Sequence, residues 1–230
     1  MDESARLKIV ARMESEFPSK FGIPRQSGLV EELRSTLVFE PEYRNPDALR
    51  GLEGFSHLWL IWGFHKARQE DWSPTVRPPR LGGNARMGVF ATRSPFRPNS
   101  LGLSCVRLEE IELQTPRGPV LHVRGADLMD GTPIYDIKPY VPYADSHPEA
   151  REGFALAPEK GLRVEISPEI EERIPAEKRK ALREVLAWDP RPHYQEDPRR
   201  VYGMAFAGME VRFTVTGETL TVVDVMEKTS

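Results

Sequence analysis

Short apolar runs rich in β-branched and aromatic residues recur along the chain, at Leu7–Arg12, Thr36–Phe39, Leu58–Phe64, Gly88–Thr92, Gly102–Leu108, Val120–Arg124, Ile134–Ile137, Leu162–Ile166, Val201–Phe206, Val211–Thr216 and Leu220–Val225. Proline and glycine clusters separate them. This rhythm predicts a mainly β protein built around a single-sheeted antiparallel β-barrel. The longest apolar run, His57 to Phe64, reads as a buried central strand, with His65 and Lys66 where it emerges. Thr216–Thr219 reads as a hairpin turn. Helical signals are fewer: short ones at Leu29–Arg34 and Asp47–Leu52, and a longer one at Pro175–Ala187. The last has proline at its first turn and Ala181, Leu182, Val185 and Leu186 on one face, and is ended by Pro190 and Pro192. A change of composition after Asp145-Ser146-His147-Pro148 divides the chain into a main domain, 1–148, and a small α+β C-terminal domain, 149–230.

Composition adds exclusions. With 230 residues, 39% hydrophobic and 29% charged, the chain can bury a sizeable core as a soluble globular protein. No apolar run approaches the roughly 20 residues of a membrane span. The start, MDESARLKIV, lacks a basic leader or apolar signal core, so the expected location is cytoplasmic. The single cysteine, Cys105, excludes an internal disulfide and, in SLGLSCVRL, is expected as a buried structural thiol rather than a nucleophile. A net charge of −3 argues against a surface basic throughout. The stretch Trp72–Leu108 is the local exception, carrying Arg77, Arg80, Arg86, Arg93, Arg97 and Arg107 and no acidic residue. Its prolines, glycines and guanidinium groups suit a rim that receives an anionic ligand.

Several polar clusters are candidates for chemistry. Pro24-Arg25-Gln26-Ser27-Gly28 is a proline-fixed turn with donors and acceptors for a polar ligand, or simply a surface turn. The glycines around Asn84 have neither dinucleotide-fold nor phosphate-loop spacing, so a Rossmann cofactor site is not expected. No HxxxH, CxxC or other dense ligand group accompanies His57 or His65, so no metal is expected. Asp127–Pro133 and Asp136–Tyr143 place carboxylates, a lysine and tyrosines among prolines, which suits a ribose, an amine or a stacked base as well as a solvated hairpin. Asp189-Pro190-Arg191-Pro192-His193-Tyr194 displays Arg, His and Tyr on a stiff loop, or merely terminates the helix. No GxSxG elbow is present.

In order along the chain, Pro24-Arg25-Gln26, Gly54–Trp59, Arg77-Pro78-Pro79-Arg80, Ala91–Asn99, Asp130–Pro133 with Asp136–Tyr140, and Asp189–Pro192 closely resemble the blocks of the TrmO family, the TsaA-like tRNA (adenine-N6)-methyltransferases. The resemblance covers most of the chain, and the late DPRP block is similar to that of two-domain bacterial members. It implies a non-Rossmann β-barrel methyltransferase, homodimeric, using S-adenosylmethionine. The implied substrate is the threonylcarbamoyl-modified adenosine at position 37, on the 3′ side of the tRNA anticodon. The cofactor contacts carried over are Pro24, Arg25, Gln26, His65, Lys66, Arg93, Leu103, Asp127, Leu128, Met129 and Asp130. Asn99-Ser100 departs from the Asn-Pro of many members.

On this reading Asp136, with the carbonyls of the following Lys138-Pro139 segment, accepts from the adenine amino group while Tyr140 stacks on the base, by analogy with the acidic-Pro-Pro-Tyr clamp of other amino-methyltransferases; here Ile137-Lys138 stands in place of the first proline. Arg93 and Arg97 face a carboxylate, and Arg77, Arg80, Arg86 and Lys138 face phosphates. The rival readings are a non-catalytic RNA- or nucleotide-binding β-barrel and a small-molecule-binding regulatory protein.

Overall fold

A computed structural model describes residues 6–66, 72–78, 81, 85–155, 161–191 and 197–227. Strands β1 (Ala11–Glu14), β2 (Arg34–Phe39) and β3 (His57–Gly63) are followed by the two-residue strands β4 (Thr75–Val76) and β5 (Met87–Gly88). Then come β6 (Leu101–Glu112), β7 (Val120–Arg124) and β8 (Pro133–Pro139). Six of these close an antiparallel barrel in the order β1-β2-β7-β6-β3-β8, while β4 and β5 form a separate ribbon. Alternation drives closure: Leu58, Leu60 and Trp62 point inward from β3, and Leu37, Val106, Leu121, Val123 and Ile134 meet them in one core.

Helix α1 (Pro142–Asp145) leaves the barrel. Strand β9 (Arg163–Glu165), helices α2 (Pro168–Glu171) and α3 (Ala176–Ala187), and strands β10 (Tyr202–Phe206), β11 (Met209–Thr216) and β12 (Thr219–Glu227) build a second unit. Its sheet runs β10-β11-β12-β9, with β9 parallel to β12. The buried face of α3, with Ala181, Leu182, Val185 and Leu186, covers it. The second core also takes in Phe17, Val30 and Leu33 from the connection between β1 and β2.

Several local expectations are corrected. Leu29–Arg34 is no helix: the Trp188 indole takes the Leu29 carbonyl at 2.8 Å and the Gly125 amide takes that of Leu33 at 2.9 Å, and so short a segment has little helical gain to set against them. Gly88–Thr92 is strand only at Gly88. Val89–Ala91 turns as a 3-10 helix because the Thr92 amide and hydroxyl both donate to the Val89 carbonyl, at 3.2 and 2.8 Å. Asp47–Leu52 is split by Gly51, at φ +89°, into 3-10 turns at Pro46–Leu49 and Leu52–Gly54. Cys105 is half-buried on the outer barrel face rather than enclosed.

Candidate active site

Antiparallel closure brings the ends of β1, β3 and β7 and the starts of β2, β6 and β8 to one end of the barrel. Three connections therefore meet there: 15–33, 64–100 and 125–132. They carry Pro24-Arg25-Gln26, His65-Lys66 with Arg93, and Asp127–Asp130, so the topology gathers residues far apart in sequence.

Strand β6 supplies the wall. Leu101–Arg107 pair with β3, but β7 joins only from Arg107 onward, which leaves the early edge of β6 open. The turn 24–28 lies against that edge: the Cys105 amide donates to Ser27 Oγ at 3.2 Å, and the Gly28 amide donates to the Gly125 carbonyl at 2.9 Å. Gly28 and Gly125 both have positive φ, +80° and +74°, and a Cβ on Gly125 would lie 3.4 Å from Gly28 backbone. The positive φ at both positions, rather than crowding, is what favours glycine there. Arg93 donates to Gln26 Oε1, which ties the third connection to the first.

Asp127 sits at the centre. Ser104 Oγ donates to its carboxylate at 2.6 Å and in turn accepts from Trp62 Nε1 at 3.0 Å. Burial pushes the carboxyl up from its ordinary pKa; hydrogen bonds from Ser104 and from the amides of Asp127 and Ser27, with the Arg93 charge, act in the opposite sense. Leu128 is buried in the barrel core, so only its backbone can face a ligand. Asp130 is exposed, accepts from the Ser15 amide at 3.1 Å and donates its own amide to Phe17 at 2.8 Å. Met129 accepts from the Thr132 hydroxyl at 2.6 Å through its carbonyl. His65 is held below the ordinary imidazole value, first by burial and then by the charges of Lys66 and Arg12; Lys66 donates to the Pro18 carbonyl at 3.3 Å.

Leu103 is 54% exposed on the outer face, opposite Ile61, whose other neighbour is Asp136. Leu103 and Asp136 thus flank one residue, about 10 Å apart. Asp136 pairs with Lys138 at 2.9 Å. Tyr140 lies farther along: its amide bonds to the His57 carbonyl at 2.9 Å, and its ring packs on His57 and Trp59. That end of β8 is roughly 20 Å along the strand from the gathered connections, so a single chain does not bring Tyr140 to them.

Arg77 and Arg86 are exposed, and Arg86 donates to Thr75 Oγ1 at 3.1 Å across the ribbon. Arg80 lies outside the described residues. Arg97 donates to the Thr92 carbonyl at 3.1 Å and stands 5.9 Å from the centre of the Phe90 ring. Phe90 is 71% exposed and Trp72, its neighbour at 6.4 Å, 52%. The arm is thus aromatic as well as basic. A separate groove of about 460 Å³ between the barrel wall and α3 has carboxylates that are already paired, Glu16 with Lys178 and Glu109 with Arg34 and Arg124.

Ser104, Trp62 and Phe90 are functional candidates that only the structure singles out. Ser104 carried a signal, being a hydroxyl at an inward position of an otherwise apolar alternation.

The tRNA-methyltransferase O N-terminal domain family matches residues 12–146, more than half of the chain, and the TrmO C-terminal domain family matches 159–228. The chain belongs to the TrmO family. It is similar to a relative in Escherichia coli named tRNA (adenine(37)-N6)-methyltransferase, at 44% identity over 93% of this chain and 94% of that one. A Pseudomonas aeruginosa relative, provisionally named S-adenosylmethionine-dependent methyltransferase RcsF, is 44% identical over 86% of this chain and 87% of its own length. The crystal structure of TrmO from Pseudomonas aeruginosa superposes with a TM-score of 0.79 at 36% identity, covering 97% of this chain and 98% of that one. Its TrmO membership agrees with the closed antiparallel barrel.

Proposed function

We propose that this chain is an S-adenosylmethionine-dependent methyltransferase that methylates N6 of the threonylcarbamoyl-modified adenosine at position 37 of tRNA. The observation that carries the reading is the convergence of Gln26, Arg93 and Asp127 on the open edge of β6, beside an arm rich in arginine and exposed aromatic rings. The names of the E. coli and P. aeruginosa relatives point the same way.

The donor set fits such a cofactor. Arg93 offers a guanidinium to a carboxylate, Asp127 and the Gln26 amide offer acceptors to an amine or ribose, and Leu103 offers an exposed apolar side chain. Pro24, Arg25, His65, Lys66 and the backbone of Leu128–Asp130 complete the set. S-adenosylmethionine, when bound, supplies a methyl group on a sulfonium, an electrophile that chiefly requires an aimed lone pair.

Asp136 accepts from the exocyclic N6–H and takes the proton that leaves when nitrogen is methylated; Lys138, 2.9 Å from it, keeps that acceptor oriented. Tyr140, farther along the same outer stripe, offers its ring to a base. Arg97, restrained by Thr92 and Phe90, faces the threonyl carboxylate, while Arg77, Arg80 and Arg86 meet phosphates. The reading includes a cytoplasmic homodimer and a domain division at 148/149.

Labelled S-adenosylmethionine incubated with tRNA from wild-type cells and from cells lacking threonylcarbamoylation should label only the first pool. Labelling of both pools would remove the modified substrate from the reading. Labelling of neither, with tRNA still bound, would favour a binding protein. Asp136→Asn should lower kcat by about 10²-fold or more with cofactor affinity unchanged; wild-type turnover would end its role.

A further inference from the structure

The C-terminal unit grips the connection that carries the turn Pro24–Gly28. That connection, 15–33, joins two adjacent antiparallel strands, a junction that a few residues usually make. It has no helix or strand of its own, and a loop of that length needs outside partners to hold one shape.

The partners come largely from beyond residue 160. Phe17, Val30 and Leu33 are buried in the second core, with Phe21 and Ile23 packed against it. Gly22, at φ +94°, lies so close to Met204 that a Cβ there would meet its sulfur at 2.3 Å. The Ala207 amide donates to the Glu16 carbonyl at 2.9 Å, Lys178 pairs with the Glu16 carboxylate, and Lys180 pairs with Glu32 at 2.6 Å. Just past α3, Trp188 Nε1 donates to the Leu29 carbonyl at 2.8 Å, one residue beyond the turn.

The next residue is fixed within its own loop. Asp189, at φ +49°, takes a two-pronged bond from Arg191 at 2.8 and 2.8 Å. Burial opposes its ionisation, but the Arg191 bonds and charge, with the charge of Arg25 beyond, outweigh burial and hold its carboxyl below the ordinary value. The Asp189 charge is thus attractive to Arg25, within the turn itself.

We infer that the C-terminal domain is an intramolecular clamp that holds the cofactor-binding turn against β6, with Trp188 and Lys178 as its positioning residues. The inference rests on the reading that Pro24–Gln26 contact the cofactor. Releasing the clamp leaves the ligand groups in place but lowers the fraction of molecules whose turn is formed, and apparent affinity falls by that fraction.

The test uses the full chain. Trp188→Phe keeps the ring and removes the indole donor. Lys178→Met keeps the length of the side chain and removes its pair with Glu16, and decides alone if the first variant does not fold. Calorimetric titration with S-adenosylmethionine should show a Kd raised about threefold to tenfold, the effect of one lost hydrogen bond. The KM for cofactor should rise in parallel, with kcat at saturating cofactor and the KM for tRNA within about twofold. Hydrogen exchange of amides 25–30 in the ligand-free protein should speed up. Gln26→Ala and Arg93→Ala serve as controls. If they bind cofactor as the wild type does, the cofactor-turn reading fails and the clamp falls with it. If they lose affinity while Trp188→Phe and Lys178→Met keep both affinity and amide protection, the clamp alone is overturned.

Discussion

Asp127 shows how one side chain sets a site against stability. Its enclosed carboxyl has a folded pKa raised by burial, only partly countered by Ser104, by two amides and by Arg93. The folded state therefore holds this proton more tightly than the unfolded chain, where the value is about 3.9. The resulting stability is fully present below that unfolded value and is lost as pH rises through the folded pKa. Asp127→Asn preserves shape and one acceptor but cannot ionise. Urea unfolding of both proteins from pH 4 to 7 should show the wild type falling relative to the variant as pH rises, with the variant at least as stable at pH 7. A constant difference would mean that Asp127 ionises in the fold as freely as in the unfolded chain. A group kept where its charge is costly is a mark of function, and the variant should bind cofactor less tightly.

At the scale of elements, turn chemistry decides more than strand propensity. The β10–β11 hairpin turns through Ala207 and Gly208, both at positive φ, +50° and +75°. Glycine serves the second position; alanine at the first is strained. Its amide is fixed by Glu16, so the conformation is set from outside the hairpin. Ala207→Gly should stabilise the fold by about 0.5–1 kcal/mol, strain relief exceeding the added freedom of the unfolded chain. A lower midpoint in thermal unfolding would contradict this. The same logic explains what was legible in the sequence. Strands with alternating burial, such as β3 and β11, could be read because one face meets a core, and Thr216–Thr219 because Gly217 takes a positive φ of +57°. Leu29–Arg34 could not, since Trp188 and Gly125, far away in sequence, claim its carbonyls. PRQ and ATRS are recognisable as blocks and Asp127–Pro133 as a polar turn, yet their meeting at one barrel end depends on strand order. The separation of Tyr140 from them depends on it too.

Over the whole molecule, the charge of −3 is divided unevenly, because the arm from Trp72 to Leu108 has six arginines and no acid. Phosphate recognition and base recognition need different groups there, and their signatures differ. Arg77 and Arg86 stand exposed, where neutralising a phosphate displaces counterions; Arg77→Gln and Arg86→Gln should each weaken tRNA binding and lower the slope of log K against log salt by about 1. Phe90 carries no charge, is 71% exposed, and has the Arg97 guanidinium 5.9 Å and the Trp72 ring 6.4 Å from its centre, a surface suited to an unstacked loop base. Phe90→Ala should therefore cost about 1–3 kcal/mol in tRNA affinity with the salt slope unaltered. Filter binding at several salt concentrations separates the two effects, and cofactor affinity should stay constant in all three variants. A Phe90 variant that binds tRNA like the wild type would leave recognition to the arginines alone. Arginine variants with an unaltered slope would move the phosphate track off this arm.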